Sequence, residues 1–229
     1  MGRTNHRRRC ARSRKAWARG KLDGILSQLQ PNDIAVDCGA NTGEVSVAIA
    51  RTGATLYAFE PDPVAFERLS ANLARYPNAH SIAAAVSDRA GRATLHRSTR
   101  FRDTPLAATT GSTLLADKRD VDGTGDGDLT VPVMDLTEIL RDLIARRVPD
   151  GLPGQHVGLG RLALLKIDVE GEELTLLPAL HEADLLARVG CTLVETHQRK
   201  FPARRSDFLR MRRELRGLYP ASKVDLDWI

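Results

Sequence analysis

Short apolar runs alternate with segments of helical periodicity through most of the chain, and this alternation constrains the fold more than any other feature. It predicts a first strand over Ile34 to Cys38, a helix over Glu44 to Arg51 and a second strand over Thr55 to Glu60. Such strand–helix–strand repeats form βαβ units, so we expect an α/β fold with a doubly wound, mostly parallel sheet. The most apolar run, Leu162 to Val169, is predicted to lie in mid-sheet, buried on both sides.

The rest of the chain continues the alternation with one interruption. The pattern weakens between Asp88 and Thr130, and because Asp117 to Asp128 is rich in Asp and Gly, we expect a mobile loop there. Further strands are predicted over Ser81 to Ser87, Ala93 to Arg97, Val131 to Met134, Cys191 to Thr196 and Lys223 to Ile229. Further helices are predicted over residues 61–75, Leu136 to Arg147, Glu172 to Leu180 and Asp207 to Leu218.

Composition and charge fit one globular domain with a basic leader. The 229 residues are 42% hydrophobic and 28% charged, which excludes a disordered or fibrous protein. The formal charge of +5 comes from the first 21 residues, which hold nine Lys and Arg and no acid. We therefore predict a flexible basic arm over residues 1–21 and a single domain over residues 22–229. The arm is a solvated segment, a contact for phosphates or an anionic surface, or the product of a misassigned start codon, and its composition leaves these open.

Three features that the sequence lacks indicate a cytoplasmic protein. No stretch approaches the roughly 20 consecutive apolar residues of a membrane helix, and the basic leader lacks the apolar segment of a secretory signal. The three cysteines are widely spaced, without the Cys-x-x-Cys pair typical of a zinc site or a redox dithiol. We therefore predict no membrane span and a reducing, cytoplasmic environment.

The glycine-containing turn after the first strand is the strongest local signal for a ligand. It has the pattern Gly39-x-x-x-Gly43, and Glu60 ends the next strand 21 residues after Gly39. Glycine lets the backbone approach a ligand closely, and an acid at that spacing can accept both hydroxyls of a ribose. Asn41 stands where a dinucleotide fingerprint has its second glycine, and Asp37 precedes the turn. Both departures disfavour a pyrophosphate and suit a cationic nucleoside without phosphates.

Six blocks along the chain resemble, in order, those of FkbM-type S-adenosylmethionine-dependent methyltransferases. The resemblance covers about residues 33–200 and rests on Asp37-Cys38-Gly39-Ala40-Asn41-Thr42-Gly43, Tyr57-Ala58-Phe59-Glu60-Pro61, Ala85-Val86-Ser87-Asp88, Gly111-Ser112-Thr113-Leu114, Lys166-Ile167-Asp168-Val169-Glu170-Gly171 and Val194-Glu195-Thr196-His197. It implies a class I methyltransferase fold, a seven-stranded Rossmann-like sheet with helices on both sides. Because little chain follows residues 207–218, we expect the terminal strand pair of that fold to be incomplete.

The resemblance also implies where the cofactor S-adenosylmethionine lies. The first turn would surround its methionine part, the end of the second strand would hold the ribose, the end of the third would meet the adenine, and the end of the central strand would face the sulfonium. The residues concerned are Asp37, Gly39, Asn41, Thr42, Gly43, Glu60, Pro61, Ser87, Asp88 and Asp168. For Ser87 and Asp88, a plain strand-ending turn is the alternative.

Methyl transfer to a hydroxyl needs an aligned acceptor and a group that removes its proton. The candidate catalytic residues are Asp168, Glu170, Glu195 and His197. An unperturbed histidine has a pKa of about 6.5, which suits a base near neutral pH, and a structural role is the alternative. Glu170 alternatively caps the helix that follows it. A divalent cation held by the three carboxylates is an option that no spacing rule demands, so no metal ligand is predicted, and Lys166 is expected to pair with an acid.

We therefore expect a methyltransferase that uses S-adenosylmethionine to methylate a hydroxyl of a sugar or secondary metabolite. Its small-molecule acceptor would lie near Gly111-Ser112-Thr113-Leu114, by position. Two alternatives stay open: a non-catalytic nucleoside- or RNA-associated module, and an NAD(P)-dependent oxidoreductase. The aromatic content of 4% offers no platform for stacked bases, so a nucleic-acid acceptor is disfavoured. The sequence does not define the acceptor, the oligomeric state or a metal requirement.

Overall fold

The computed structural model describes residues 18–102, 104, 108–119, 121, 127–153 and 160–228. Nine strands are assigned in this part of the chain, and six of them form the main sheet. In chain order they are β1 (Ile34–Cys38), β2 (Thr55–Phe59), β3 (Ala79–Ile82), β4 (Ala85–Ser87), β5 (Gly91–Leu95), β6 (Leu129–Asp135), β7 (Leu162–Ile167), β8 (Cys191–Val194) and β9 (Val224–Asp225).

The main sheet has the order β3-β2-β1-β7-β8-β9, and every pair of neighbours in it is parallel. The strand order reverses between β1 and β7, so their carboxyl ends border a crevice in which open α/β sheets bind ligands. All six residues of β7 are buried between β1 and β8. The predicted parallel sheet and its central apolar strand are therefore confirmed.

Helices cover both faces of the main sheet, as expected for a doubly wound fold. They are α1 (residues 18–26), α2 (Glu44–Ala50), α3 (Pro63–Leu73), α4 (Leu136–Ile144), α5 (Glu173–Glu182), α6 (Leu185–Arg188) and α7 (Arg205–Leu218). Helices α1 to α3 pack on one face and α4 to α7 on the other. Because side chains alternate along a strand, Val36 enters one core and Ala35 the other.

Helix α1 overlaps the end of the predicted basic arm. Ala18 and Leu22 are buried in the core beside α2 and α3, so residues 18–21 belong to the packed domain rather than to an arm. Residues 1–17 lie outside the described part of the chain, and the prediction of a flexible arm there stays a prediction.

The third predicted strand, Ser81 to Ser87, is wrong as one element. The chain forms β3 at the edge of the main sheet and then β4 in a second sheet of order β4-β6-β5. In the described main sheet, β3 is an edge strand that pairs with β2. The predicted strand over Ala93 to Arg97 is found as β5, Gly91–Leu95. Residues 120 and 122–126 of the expected mobile loop over Asp117 to Asp128 lie outside the described residues, so that prediction stays a prediction.

The C-terminal end of the main sheet is short, as the sequence suggests. The predicted strand over Lys223 to Ile229 is reduced to the two residues of β9, which pair with β8 in parallel. Six strands are thus found in the described main sheet where the family resemblance implies seven. Among the described residues, no helix combines the length and apolar character needed to cross a bilayer.

Candidate active site

A cleft opens at the carboxyl ends of the central strands, between the main sheet and the segment from Thr109 to Leu114. Each of the four central strands sends its C-terminal turn into the wall of the cleft. The residues concerned are Gly39 and Asn41 after β1, Glu60 and Pro61 after β2, Asp168, Val169 and Glu170 after β7, and Glu195 after β8. The predicted topology therefore brings these sequence-distant residues to one site.

The turn after β1 touches the turn after β7 directly. Gly39 has a φ of +76°, and a Cβ on it would lie 1.8 Å from the carbonyl oxygen of Asp168. Its N–H and that of Ala40 both donate to the carbonyl of Phe59, at 3.0 and 2.9 Å. Only glycine fits this position, because an L side chain would be strained and would collide with backbone.

Glu60 is buried at the floor of the cleft and braces the glycine turn. Its Oε2 accepts the N–H of Asn41 and its Oε1 accepts the N–H of Asp62, both at 2.8 Å. Burial raises the pKa of Glu60 to about 7, against the lowering effect of these two backbone donors. A carboxylate has about four acceptor positions, so the two that remain can serve a ribose diol.

Five of the predicted cofactor residues do not line the described cleft, three of them around the first turn and two, Ser87 and Asp88, after β4. Asp37 is fully buried, with Ser46 donating to its Oδ2 at 2.6 Å and Lys166 Nζ 3.1 Å from its Oδ1. Gly43 caps α2 with a φ of 89°, and Thr42 lies beside it. Asp37 therefore lies behind the cleft wall, against Lys166. The assignment of Asp37, Thr42 and Gly43 to the methionine part of a cofactor stays a prediction.

The predicted adenine residues, Ser87 and Asp88, lie beside Glu172. The Ser87 hydroxyl donates to Glu172 Oε1 at 2.5 Å and approaches Asp88 Oδ1 at 3.3 Å. Within the described residues, Val86 and Glu172 line the cleft at this end, and Ser87 and Asp88 do not. Glu172 was not among the predicted site residues, because it lies in the turn before α5 and belongs to no motif.

Acidic side chains surround Nε2 of His197. Its Nε2 lies 3.6 Å from Asp168 Oδ1, 3.5 Å from Glu170 Oε2 and 3.7 Å from Glu195 Oε1. Its Nδ1 is 2.8 Å from Oε1 of the fully buried Glu173. All four candidate catalytic residues therefore meet in one cluster, with Glu173 behind them.

The carboxylates around His197 raise its pKa and so disfavour the role of general base. Burial alone would lower the pKa of His197, but Glu173, Glu170 and Asp168 outweigh it and raise the pKa to about 9. The imidazole is then a cation at neutral pH, which disfavours the general base predicted from a pKa of about 6.5. Burial, with the neighbouring Asp168, raises the pKa of Glu195 to about 7.

Glu170 does not cap helix α5, contrary to the structural alternative. Glu173 accepts the N–H groups of Val169 and Gly171, at 3.2 and 3.0 Å. Glu170 instead binds Lys200 Nζ, at 2.6 and 2.7 Å from its two oxygens, and Lys118 Nζ lies 2.9 Å from its Oε2. Burial would raise the pKa of Glu170, but His197 and the two lysines hold it below its ordinary value.

Asp62 holds the far wall of the cleft. It is fully buried, caps α3 through Val64 N–H, and accepts two hydrogen bonds from Arg97 at 3.0 and 3.1 Å. Ser112 Oγ donates to Asp62 Oδ2 at 3.0 Å, which places Ser112, Thr113 and Leu114 in the lining. The predicted position of the 111–114 block beside the site is thereby supported for these three residues.

The strand order, the glycine turn after β1 and the acids after β2 and β7 define a Rossmann-like fold of the class I methyltransferase type. The Methyltransferase FkbM domain model matches residues 37–219 of the chain. The chain belongs to the FkbM methyltransferase family. This confirms the resemblance drawn from the six sequence blocks and outweighs the oxidoreductase alternative.

Named relatives are similar to this chain over about three quarters of it. The 31-O-demethyl-FK506 methyltransferase FkbM of Streptomyces tacrolimicus is 31% identical over 74% of this chain and 67% of its own length. The methyltransferase sdnD of Sordaria araneosa is 32% identical over 69% and 64%. The hexuronic acid methyltransferase AglP of Haloferax volcanii is 28% identical over 78% and 63%. The chain therefore spans about two thirds of the length of these relatives.

Proposed function

We propose that the protein uses S-adenosylmethionine to methylate a hydroxyl group of a small molecule, a sugar or a secondary metabolite. The observation that carries the proposal is the single cleft in which the glycine turn of a class I methyltransferase faces an acidic cluster at the ends of β7 and β8. Membership of the FkbM family supports methyl transfer, and the relatives' names support the acceptor class. One is named for O-demethylated FK506 and another for a hexuronic acid.

The backbone of the cleft and its hydrogen-bond acceptors fit the cofactor. Gly39 keeps free the space beside Asp168 that any side chain would fill, and Glu60 retains acceptor positions for a ribose. S-adenosylmethionine would supply an electrophilic methyl group on a sulfonium. The carboxylate of Asp168, 26% exposed and bordering the Gly39 turn, would lie near that positive charge.

A carboxylate at the cleft floor would take the acceptor's proton. Asp168 and Glu195 each leave 26% of their side chain exposed to the cleft, whereas His197 is 3% exposed and holds its proton between carboxylates. One of these two oxygens would receive the hydroxyl proton while the acceptor's oxygen lone pair bonds to the methyl carbon. His197 would then hold the carboxylates in place rather than act as the base.

Calorimetric titration of the purified chain with S-adenosylhomocysteine tests the proposed function first. NADH serves as the control ligand. We expect saturable binding of S-adenosylhomocysteine at one site per chain and none of NADH, after which a screen of sugar and secondary-metabolite hydroxyls is justified. A folded sample that binds neither ligand would contradict the proposal and favour a non-catalytic module.

Replacing Glu60 by alanine is expected to weaken S-adenosylhomocysteine binding by about 1 to 3 kcal/mol, the cost of lost hydrogen bonds to a charged acceptor. The loss has two parts, because Glu60 both faces the ribose and braces Asn41 through its N–H. Titration calorimetry of Glu60→Ala against the wild type measures it. The matched control is Glu67→Ala on α3, and unchanged affinity in Glu60→Ala would remove Glu60 from the site.

Replacing Asp168 by asparagine is expected to lower turnover by about 10²- to 10⁴-fold, the range of a lost proton acceptor. His197→Ala should also lower turnover, since Asp168 and Glu195 would repel each other without the cation between them. Affinity for S-adenosylhomocysteine should change much less in both variants. The measurement is kcat beside calorimetric Kd, with Asp207→Asn on α7 as control. Wild-type turnover in both would contradict the assignment.

A further inference from the structure

Among the described residues, one group of side chains beside the cleft has the composition and spacing of a metal site. Asp168, Glu170 and His197 each offer one ligand atom, and these atoms all lie within 4.8 Å of one another. Two ligands on opposite sides of a cation with bonds of about 2.1 to 2.4 Å would lie about 4.2 to 4.8 Å apart. The three atoms can therefore close around one cation with small side-chain movements.

The orientation of His197 is a second observation that favours a metal site. The side chain is only 3% exposed, and Glu173 accepts from its Nδ1 at 2.8 Å, which leaves Nε2 directed at the cleft. Nε2 has no hydrogen-bond partner closer than 3.5 Å among the described residues, although three carboxylates face it. Metal-binding histidines usually donate the N–H of the ring nitrogen that does not bind the metal to a carboxylate, as Nδ1 of His197 does to Glu173.

Electrostatics around the cluster also favour a cation. The contact network joins five carboxylates, Asp37, Asp168, Glu170, Glu173 and Glu195, to three ammonium groups, Lys118, Lys166 and Lys200. The five carboxylates exceed the three ammonium groups by two negative charges, which one divalent cation would balance.

We propose that Asp168, Glu170 and His197 form a binding site for one divalent cation at the floor of the cleft. Two carboxylates and an imidazole suit a cation that accepts both oxygen and nitrogen ligands, such as Mn²⁺. Lys200, with 36% of its side chain exposed, lies on Glu170 and would move aside as the cation binds. Lys200 and the buried Lys118 therefore both compete with the metal for Glu170, and Lys200 is the one with room to move.

The role of the cation in catalysis rests on the proposed function. A divalent cation at this position would bind the acceptor's hydroxyl oxygen and acidify it. With Asp168 bound to the cation, the hydroxyl proton would pass to the other of the two proposed acceptors, the Glu195 carboxylate, 3.7 Å from His197 Nε2. The acceptor oxygen would then bond to the methyl carbon as the bond from that carbon to sulfur breaks, its electron pair remaining on sulfur.

Titration of the full chain with Mn²⁺, followed by electron paramagnetic resonance, tests the site without any methyl transfer. We expect one Mn²⁺ per chain and a ¹⁴N coupling from the imidazole. Asp168→Asn and His197→Gln should each weaken binding at least about tenfold, and Glu173→Gln about 10- to 100-fold through the orientation of His197. The control Glu182→Gln removes an exposed carboxylate from the same helix as Glu173 and should leave the affinity unchanged.

Lys200→Gln keeps the proposal testable where a core variant fails to fold. Removing this competing ammonium should tighten Mn²⁺ binding, the opposite direction from the ligand variants. The proposal is overturned if the folded wild type shows no saturable Mn²⁺ binding, or if the Mn²⁺ affinity is unchanged in the variants of Asp168, His197 and Lys200. S-adenosylhomocysteine titration of the same samples separates the two proposals. Cofactor binding without metal overturns the cation site alone, and metal binding without cofactor overturns the proposed function alone.

Discussion

Replacing Gly39 by alanine is expected to weaken S-adenosylhomocysteine binding at least about 100-fold. A non-glycine residue at positive φ costs on the order of 1–3 kcal/mol, and about 1.4 kcal/mol is a factor of ten in affinity. The new Cβ would in addition lie 1.8 Å from the carbonyl oxygen of Asp168, a backbone atom that cannot rotate away. The turn must therefore leave its place, and Asn41 and Asp168 move with it.

The matched control for Gly39→Ala is Gly217→Ala. Gly217 lies in α7, and a Cβ added there would meet nothing within 4 Å, so alanine should be neutral or stabilise by up to about 1 kcal/mol. Both variants are compared by thermal unfolding and by S-adenosylhomocysteine titration. Wild-type affinity in folded Gly39→Ala would show that the close approach of the two turns is not needed for the cofactor.

Most of the fold was predictable from local periodicity. The strand β1 has the predicted bounds, and β2 and β7 differ from prediction only at one end, because their apolar runs stop at polar turns. The division of Ser81 to Ser87 into β3 and β4 was not predictable. It depends on which strands lie beside each half, and a local pattern contains no information on neighbours in another sheet.

The same distinction applies to the candidate site. Residues at strand ends, such as Glu60, Asp168 and Glu195, were found because parallel topology brings the ends of strands together. Lys118 and Lys200 were missed, since they reach Glu170 from loops distant in sequence. The raised pKa of His197 was missed for a related reason. It depends mainly on Glu173, and nothing in the sequence distinguishes Glu173 from any other helix residue.

Removal of the buried ammonium of Lys166 is expected to cost about 3–5 kcal/mol of folding stability, the usual penalty for breaking one side of a buried ion pair. Lys166 lies between Asp37 at 3.1 Å and Asp168 at 3.4 Å, and it also donates to the carbonyl of Gly39 at 3.1 Å. In Lys166→Met, the fully buried Asp37 carboxylate loses its counter-charge. Urea unfolding measures the loss. The exposed pair of Arg19 with Glu44 gives the control Arg19→Ala, expected within about 0.5 kcal/mol.

The double variant Lys166→Met, Asp37→Asn distinguishes two roles of Asp37: counter-charge of Lys166, or contact with the methionine part of the cofactor. If Asp37 acts mainly as the counter-charge of Lys166, neutralising both should restore much of the stability, because the amide oxygen can still accept from Ser46. Affinity for S-adenosylhomocysteine should then follow stability, since Asp37 stands behind the cleft wall. A double variant that is stable yet loses the cofactor would instead support the predicted contact between Asp37 and the methionine part. A double variant as unstable as Lys166→Met would show that the lost contacts to Gly39 and Asp168 dominate, and that the lysine holds the two turns together.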